Sequence, residues 1–344
     1  MKLLVLTNNP DRPSFRQRFR IYLNDLRNHG IECSVVRFPA GCAARYRLWK
    51  SAGAFDGVYL HKKRLNAMEA WCIRRYCSTL IYDFDDAVMF SDVRPDRRSI
   101  TRYLGFRRTA RRADVVIAGN EILAEYARRF NANVHVLPTG LDLNDYTARH
   151  DHGAPDNVIR LGWIGSASTL PYLASIRGVL EELGMRYPNV VLRVIGDRFL
   201  ELKTMPVEEC VWSLDTQASD LAACHIGLAP LPDDRFTRGK CGFKILQYAA
   251  TGIPFVASGV GVNRIFAEQS QAGYIADSKE EWSCRLSRLI EDERLRSQLG
   301  QNGRRYVARF DAKTTGARLI SILSNAIGTQ VHKGEALHGS EVPI

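Results

Sequence analysis

Through the first half of the chain, short apolar runs alternate with helical patterns. KLLVLT is followed by a helix from about Ser14 to Asn28, IECSVV by one near residues 43–52, GVYLH by one near 66–77, and TLIYDF by one near 96–112. DVVIAG then precedes a helix from Asn120, and VHVLP closes the series. Apolar runs of strand length separated by 3.6-residue periodicity predict βα units, and such units predict a parallel, doubly wound sheet. The stretch TGLDLNDYTARHDHGAPDN, residues 139–157, is polar and rich in turn formers and reads as a linker.

The pattern then starts again. VIRLGWIG leads to a helix from about Leu170 to Tyr187, followed by VVLRVIG, CVWSL, a helix near 216–224, HIGLAPL, a helix from about Gly239 to Ala250, IPFVAS and GYIAD. Helices fill most of 278–327, the last beginning near Asp311. The expected organisation is an N-terminal Rossmann-like domain over 1–150 and a second Rossmann-like domain over 151–310. A C-terminal helix over 311–327 is expected to pack back on the first domain, and 328–344 to form a disordered tail. A length of 344 residues suits two domains of this size. Open α/β sheets bind ligands outside the carboxyl ends of their strands, so the expected site lies in a cleft faced by the two domains.

Charge changes the picture because it is uneven. Of the 48 Lys and Arg residues, 26 fall in 1–150 with only 15 Asp and Glu, so the whole net charge of +11 belongs to the first half. FRQRFR, HKKR, RPDRR and RRTARR there predict attraction to a polyanion, with an anionic membrane surface, a phosphorylated acceptor and nucleic acid as the candidates. No aromatic-basic RNA module accompanies them, which disfavours nucleic acid. Simple solubility through net charge is the alternative. No apolar run approaches the roughly 20 residues needed to cross a bilayer, and MKLLVLTNNPDRPS turns polar after one strand's length, so neither a signal peptide nor a spanning helix is expected. The eight cysteines form no Cys-x-x-Cys pair. A reduced, cytoplasmic protein without structural zinc is the expectation.

The chemistry concentrates in DRFTRGKCGFKILQYAATGIPFVAS, 234–258. A basic, glycine-punctuated loop entering a helix is a seat for phosphate. Lys240, Lys244 and Gln247 fall at i, i+4 and i+7, so a helix from Gly239 would carry two ammonium groups and an amide along one stripe. That suits a diphosphate followed by a sugar hydroxyl, and equally a solvated surface helix. In YDFDDAV, Asp85 and Asp86 stand at the end of a strand, where carboxylates bind a divalent cation, act as a base toward a hydroxyl, or cap the next segment. The near match to the haloacid-dehalogenase signature Asp-x-Asp-x-Thr fails, because Ala87 replaces the Thr and the motif follows the fourth strand. His61 ends GVYLH and is a candidate to orient an acceptor or a structural histidine. The loop after LLVLT holds no G-x-G-x-x-G, which counts against a dinucleotide oxidoreductase. Trp163 and Trp212 read as core in preference to base-stacking, and His225 as structural.

Four stretches, VHVLPTGLDLNDY, IRLGWIGSASTLPYL, HIGLAPLPDD and GKCGFKILQYAATGIPFVASGVGVN, occur in the order found in family 4-type (group 1) retaining nucleotide-sugar glycosyltransferases, which the chain resembles. The resemblance implies the two-Rossmann GT-B fold and transfer of a sugar from a nucleoside diphosphate, held by the second domain, to an acceptor held by the first, with retention. It implies no cofactor and no required metal, since basic side chains meet the charge that builds on the leaving diphosphate. Departures are equally specific. Where the family shows Glu-x7-Glu, this chain has Gly239 and Gln247, which leaves the residue facing the sugar unassigned. The usual Arg and Lys after the second domain's first strand are missing. Gly165, Ser166, Ser168 and Thr169 stand there, offering hydroxyls and amides to phosphate or merely capping the next helix. Arg16 and Arg18 in the loop after the first strand are candidates for the diphosphate or the acceptor, or a plain helix start. The expected function is glycosyl transfer to a lipid-linked or polysaccharide acceptor, with docking at the inner membrane face. A sugar-nucleotide epimerase of the same fold, or a non-catalytic sugar-nucleotide or nucleic-acid binder, are the alternatives.

Overall fold

The computed structural model describes residues 1–95, 97, 99–146 and 157–338, excepting the side chains of 329–338. Most of the linker and residues 339–344 thus lie outside the described residues. The chain divides into two units, Met1–Gly140 with Asp234–Cys241 and the segment from Ala312 onward, and Leu141–Asp233 with Gly242–Asp311.

The first unit is a six-stranded parallel sheet of β1 (Lys2–Thr7), β2 (Glu32–Arg37), β3 (Gly57–His61), β4 (Leu80–Phe84), β5 (Val115–Ala118) and β6 (Val134–Val136), in the order β2-β1-β3-β4-β5-β6. Its helices are α1 (Pro13–Arg18), α2 (Leu23–Asn28), α3 (Cys42–Ser51), α4 (Ala67–Tyr76), α5 (Ile100–Arg112) and α6 (Glu121–Arg128). Alternate residues of each strand point to opposite faces. Leu4, Leu6, Val58 and Leu60 therefore pack under α3–α6, and Leu3, Val5 and Tyr59 form the other core with Phe15, Phe19 and Leu26. Asn66 and Glu69 make a reciprocal capping box that starts α4, each bond 2.8 Å. The single helix expected over 14–28 is broken at Phe19 (φ −143°), whose turn lets Phe15, Phe19 and Tyr22 all reach the core.

The second unit contains β7 (Ile159–Ile164), β8 (Val190–Gly196), β9 (Val207–Val211), β10 (Ile226–Ala229), β11 (Phe255–Ala257) and β12 (Gly273–Ile275), parallel in the order β12-β11-β10-β7-β8-β9. Its helices are α7 (Leu170–Ala174), α8 (Arg177–Arg186), α9 (Gln217–Ala222), α10 (Phe243–Thr251), α11 (Val262–Ser270), α12 (Lys279–Glu291) and α13 (Glu293–Val307). Two doubly wound parallel sheets are the expected fold class. In each, consecutive strands reverse direction across the sheet once: between β1 and β3, and between β7 and β10.

The last helix, α14 (Ala312–His338), joins the first unit, where Leu319, Leu323 and Ile327 pack with Leu3 and Val5. It continues past Gly328, where the sequence reading expects order to end. Once the packed turns have nucleated a helix, each further residue without proline adds a hydrogen bond at little cost. Leu323→Ala is expected to lower stability by about 2–5 kcal/mol, the range for emptying a buried leucine site. An unchanged urea midpoint would show that α14 is not part of this core.

Candidate functional site

In the first unit the sheet reverses between Thr7 and His61, and there the Thr7 hydroxyl meets His61 Nδ1 at 3.1 Å. Around this point the strand ends deliver the charged groups. Asp83, inside β4 and fully buried, takes both Nη2 and Nε of Arg18, and Arg18 Nη1 donates to the Leu137 carbonyl. A buried carboxylate needs such a counter-charge. Lys62, the residue after β3, has φ +56° and is pinned there by Lys62 N–H donating to the Asp83 carbonyl at 2.7 Å. Left-handed backbone in a non-glycine residue is strained and gathers at functional positions. Its ammonium sits 2.8 Å from Asp85 and also bonds Asp86, and Lys240 Nζ approaches Asp86 at 3.9 Å. Burial alone would raise the Asp86 carboxyl. The Lys62 and Lys240 charges and the Lys62 hydrogen bond overcome it and bring the group down to about 2.

Lys240 reaches this cluster because Asp234–Cys241 lies on the first unit. The Asn120 amide, at the N-cap of α6, donates to the carbonyls of Gly239 (3.0 Å) and Lys240 (3.3 Å). A Cβ on Gly239 would stand 2.8 Å from Ala87 Cβ, so only glycine lets this strap lie flat. Cys241 Sγ donates to the Asp85 carbonyl, and burial pushes its thiol up to about 12, which leaves it an unreactive filler.

In the second unit, Lys244 and Gly165 pack against one ring. Lys244 Nζ lies 5.1 Å from the centroid of the buried Trp163 indole, and a Cβ on Gly165 would strike that indole at 2.4 Å. The indole thus joins the end of β7 to the first turn of α10. Ser166 and Ser168 are exposed and share a hydroxyl–hydroxyl contact of 2.9 Å. Thr169 turns inward, its Oγ1 accepting from Ser166 N–H (3.2 Å) and donating to the Ser166 carbonyl, while the Ala167 amide is held by Asp197 at 2.6 Å. Ser166 and Ser168 therefore offer hydroxyls outward, and Thr169 closes the turn. A groove of about 630 Å³ opens by the carboxyl ends of β10 and β11, lined among others by Leu231, Ser258, Arg264 and Trp282.

Four expectations are corrected. The helix begins at Phe243 and not at Gly239, because Gly242 adopts φ +65° after a 3₁₀ turn over Thr237–Gly239. Lys240 consequently stands on the strap and shares no helical stripe with Lys244 and Gln247. Gln247 is buried, its amide donating to the Tyr146 hydroxyl (3.1 Å) and to Gln217 (3.4 Å), so it braces α10 from within and lies on no exposed stripe. Arg18 is spent on Asp83, whereas Arg16 stays half-buried in α1. His61 is an internal imidazole, edge-on to Phe15 at 5.4 Å, and burial brings its pKa down to about 3 against the opposing pull of Asp83. It remains neutral and does not serve as an acid near neutrality. Asp85 and Asp86 stand together on the Lys62 ammonium. Lys62 is the residue that sequence reasoning missed: its signal, a lysine directly after a strand-end residue, was hidden within the basic run HKKR.

No family model matches the chain. It is 28% identical over 223 residues to a D-inositol 3-phosphate glycosyltransferase of Corynebacterium glutamicum, covering 60% of this chain and 53% of that protein, so it spans about half of that relative's length. Over 345 residues it is 23% identical to the protein of the same name from Salinispora arenicola, covering 89% of this chain and 76% of the relative. Among solved structures, Anabaena HepE in complex with UDP superposes with a TM-score of 0.69 at 17% identity, covering 94% of this chain and all of that one. Sucrose-phosphate synthase from Thermosynechococcus elongatus gives 0.72 at 13% identity, over 95% and 99% of the two chains. The fold is that of the GT-B glycosyltransferases, and the resemblance to their group 1 members is upheld.

Two outcomes follow from the buried groups. Arg18→Met is expected to cost about 3–5 kcal/mol, because Asp83 is left buried without its cation. The double variant Arg18→Met/Asp83→Leu should recover much of that loss in urea unfolding, and additive losses would contradict the pairing. For His61, the unfolded imidazole takes up its proton near 6.5 and the folded one only near about 3. Stability is therefore complete above 6.5 and falls as pH drops through that window, by up to about 1.4 kcal/mol per pH unit. His61→Gln should flatten this slope, and an equal slope in both proteins would assign the titration elsewhere.

Proposed function

We propose that the chain transfers a sugar from a nucleoside diphosphate donor to a hydroxyl acceptor with retention of configuration, using no resident metal or cofactor. The observation that supports this most is the packing of Lys244 and Gly165 against the Trp163 indole at the carboxyl end of β7, where the following turn exposes Ser166 and Ser168, beside the point where the second sheet reverses. In the transfer, the bond between the anomeric carbon and the diphosphate oxygen breaks, a bond to the acceptor oxygen forms, and the acceptor proton leaves. Negative charge grows on the diphosphate. An ammonium held against an indole face is placed to stabilise it.

The acceptor belongs to the first unit. With its pKa near 2, Asp86 is too weak a base to strip a proton at neutrality. Asp85 and Asp86 instead accept hydrogen bonds from acceptor hydroxyls, with Lys62 holding the two carboxylates together. Arg16 remains the diphosphate or acceptor candidate of the loop after β1. The acceptor is a carbohydrate, lipid-linked or part of a polysaccharide, reached at an anionic membrane surface. Among the described residues no helix is long and apolar enough to cross a membrane, so such association would be peripheral.

UDP is a sensible first probe, since HepE was solved with UDP and with UDP and glucose. A saturating nucleoside diphosphate should raise the melting temperature. Lys244→Ala should weaken its binding by roughly 10- to 100-fold, the scale of one charge-assisted hydrogen bond, with unchanged circular dichroism. Equal affinity in that variant would remove Lys244 from the donor site, and conversion of the sugar nucleotide without any acceptor would replace transfer by epimerisation.

A further inference from the structure

The basic clusters of the first half do not share one fate. Arg18 is internal, Lys62 is clamped by two carboxylates, and Arg64 donates to the Val88 carbonyl. Exposed positive charge without nearby acids is densest on one layer, the three helices α3, α4 and α5, which cover the same face of the sheet. Their 33 residues contain ten Lys and Arg and a single acid, Glu69, which is buried and bonded to Arg45 at 2.9 Å. Arg47, Lys50, Arg75, Arg107, Arg111 and Arg112 are exposed, and no described ion pair engages them.

Charge is only half of the pattern. On α4, Met68 and Trp71 are 67% and 63% exposed, one turn apart and followed by Arg75. On α5, Leu104 is 41% exposed and shares a shallow groove of about 550 Å³ with Arg107, Arg108, Arg111 and Arg112. A soluble surface rarely offers a tryptophan and a methionine to water side by side among unpaired arginines. A nucleic acid would account for the arginines and leave Met68 and Leu104 without purpose. An anionic bilayer accounts for both, because phosphate headgroups take the guanidinium groups while Trp and Met enter the interface.

We propose that the outer face of α3–α5 is a docking surface for an anionic lipid bilayer, with Trp71 and Met68 inserted at the interface and Arg107, Arg111 and Arg112 on lipid phosphates. This deepens the membrane part of the proposed function and does not depend on the transfer chemistry, since binding is read without donor or acceptor.

The test is co-sedimentation of the full chain with phosphatidylcholine vesicles, with and without phosphatidylglycerol, at low and at physiological salt. Binding is expected only with phosphatidylglycerol and is expected to weaken with salt. Arg107→Gln/Arg111→Gln should lower partitioning by about fivefold for each charge removed, the effect of one cation at a charged surface. Trp71→Ala should lower it further at constant charge, and Lys203→Gln, exposed on the second unit, should leave it unchanged. All four positions are solvent-facing, and melting temperatures serve as the folding control. Absence of wild-type binding, or arginine variants that bind as well as wild type, would overturn the surface. Trp71→Ala partitioning like wild type, with heparin competing equally against vesicles, would overturn the bilayer in favour of a soluble polyanion.

Discussion

A carboxylate inside a parallel sheet must be neutralised where it stands, and in the first unit that requirement organises everything near the strand ends. Asp83 lies in β4 without solvent contact, and Arg18 comes to it from α1 on the other side of β3. The approach dictates the break after Arg18, since a continued helix could not also lay Phe19 and Tyr22 into the core. Because Arg18 is also bonded to the Leu137 carbonyl, one guanidinium ties α1, β4 and the segment after β6 together. Asp85 and Asp86, just beyond the strand, repeat the requirement at the edge of solvent, and there Lys62 and Lys240 meet it.

The strap that carries Lys240 shows how backbone chemistry decides where a side chain acts. Gly239 fits against Ala87 and Leu123, and the Asn120 amide holds the carbonyls on either side of the bend. Gly242 then turns left-handed and releases the chain into α10. Two lysines four residues apart are thereby assigned to different units, one to the carboxylate pair and the other to the Trp163 indole. Their common basic character says nothing of this division.

Surface charge is sorted by the same rule. A cation near a buried acid is drawn into a pair, and a cation on a helix whose neighbours carry no acid stays free. The run FRQRFR contributes an internal ion pair, whereas RRTARR stays on the outer side of α5. Net charge alone could not distinguish them, since every arginine raises it by the same one unit wherever it sits.

What could be read from the sequence follows from periodicity. Strands such as LLVLT and GVYLH, the α3, α4 and α5 patterns, and the restart of the series after the linker are local hydrophobic signals, and they determined two doubly wound sheets without reference to contacts. The positions of Asp85 and Asp86 at a strand end were legible for the same reason, whereas Gly242 was read as lying inside a helix that in fact begins after it. The tertiary structure decided what distance along the chain conceals. Gln247 is a buried support because Tyr146 and Gln217 happen to surround it; Arg18 is internal because Asp83, 65 residues later, faces it; Lys62 matters because the next strand brings two carboxylates to its ammonium. Local pattern sets which face of an element is buried, but a polar group's role depends on which partner the fold places within hydrogen-bonding reach.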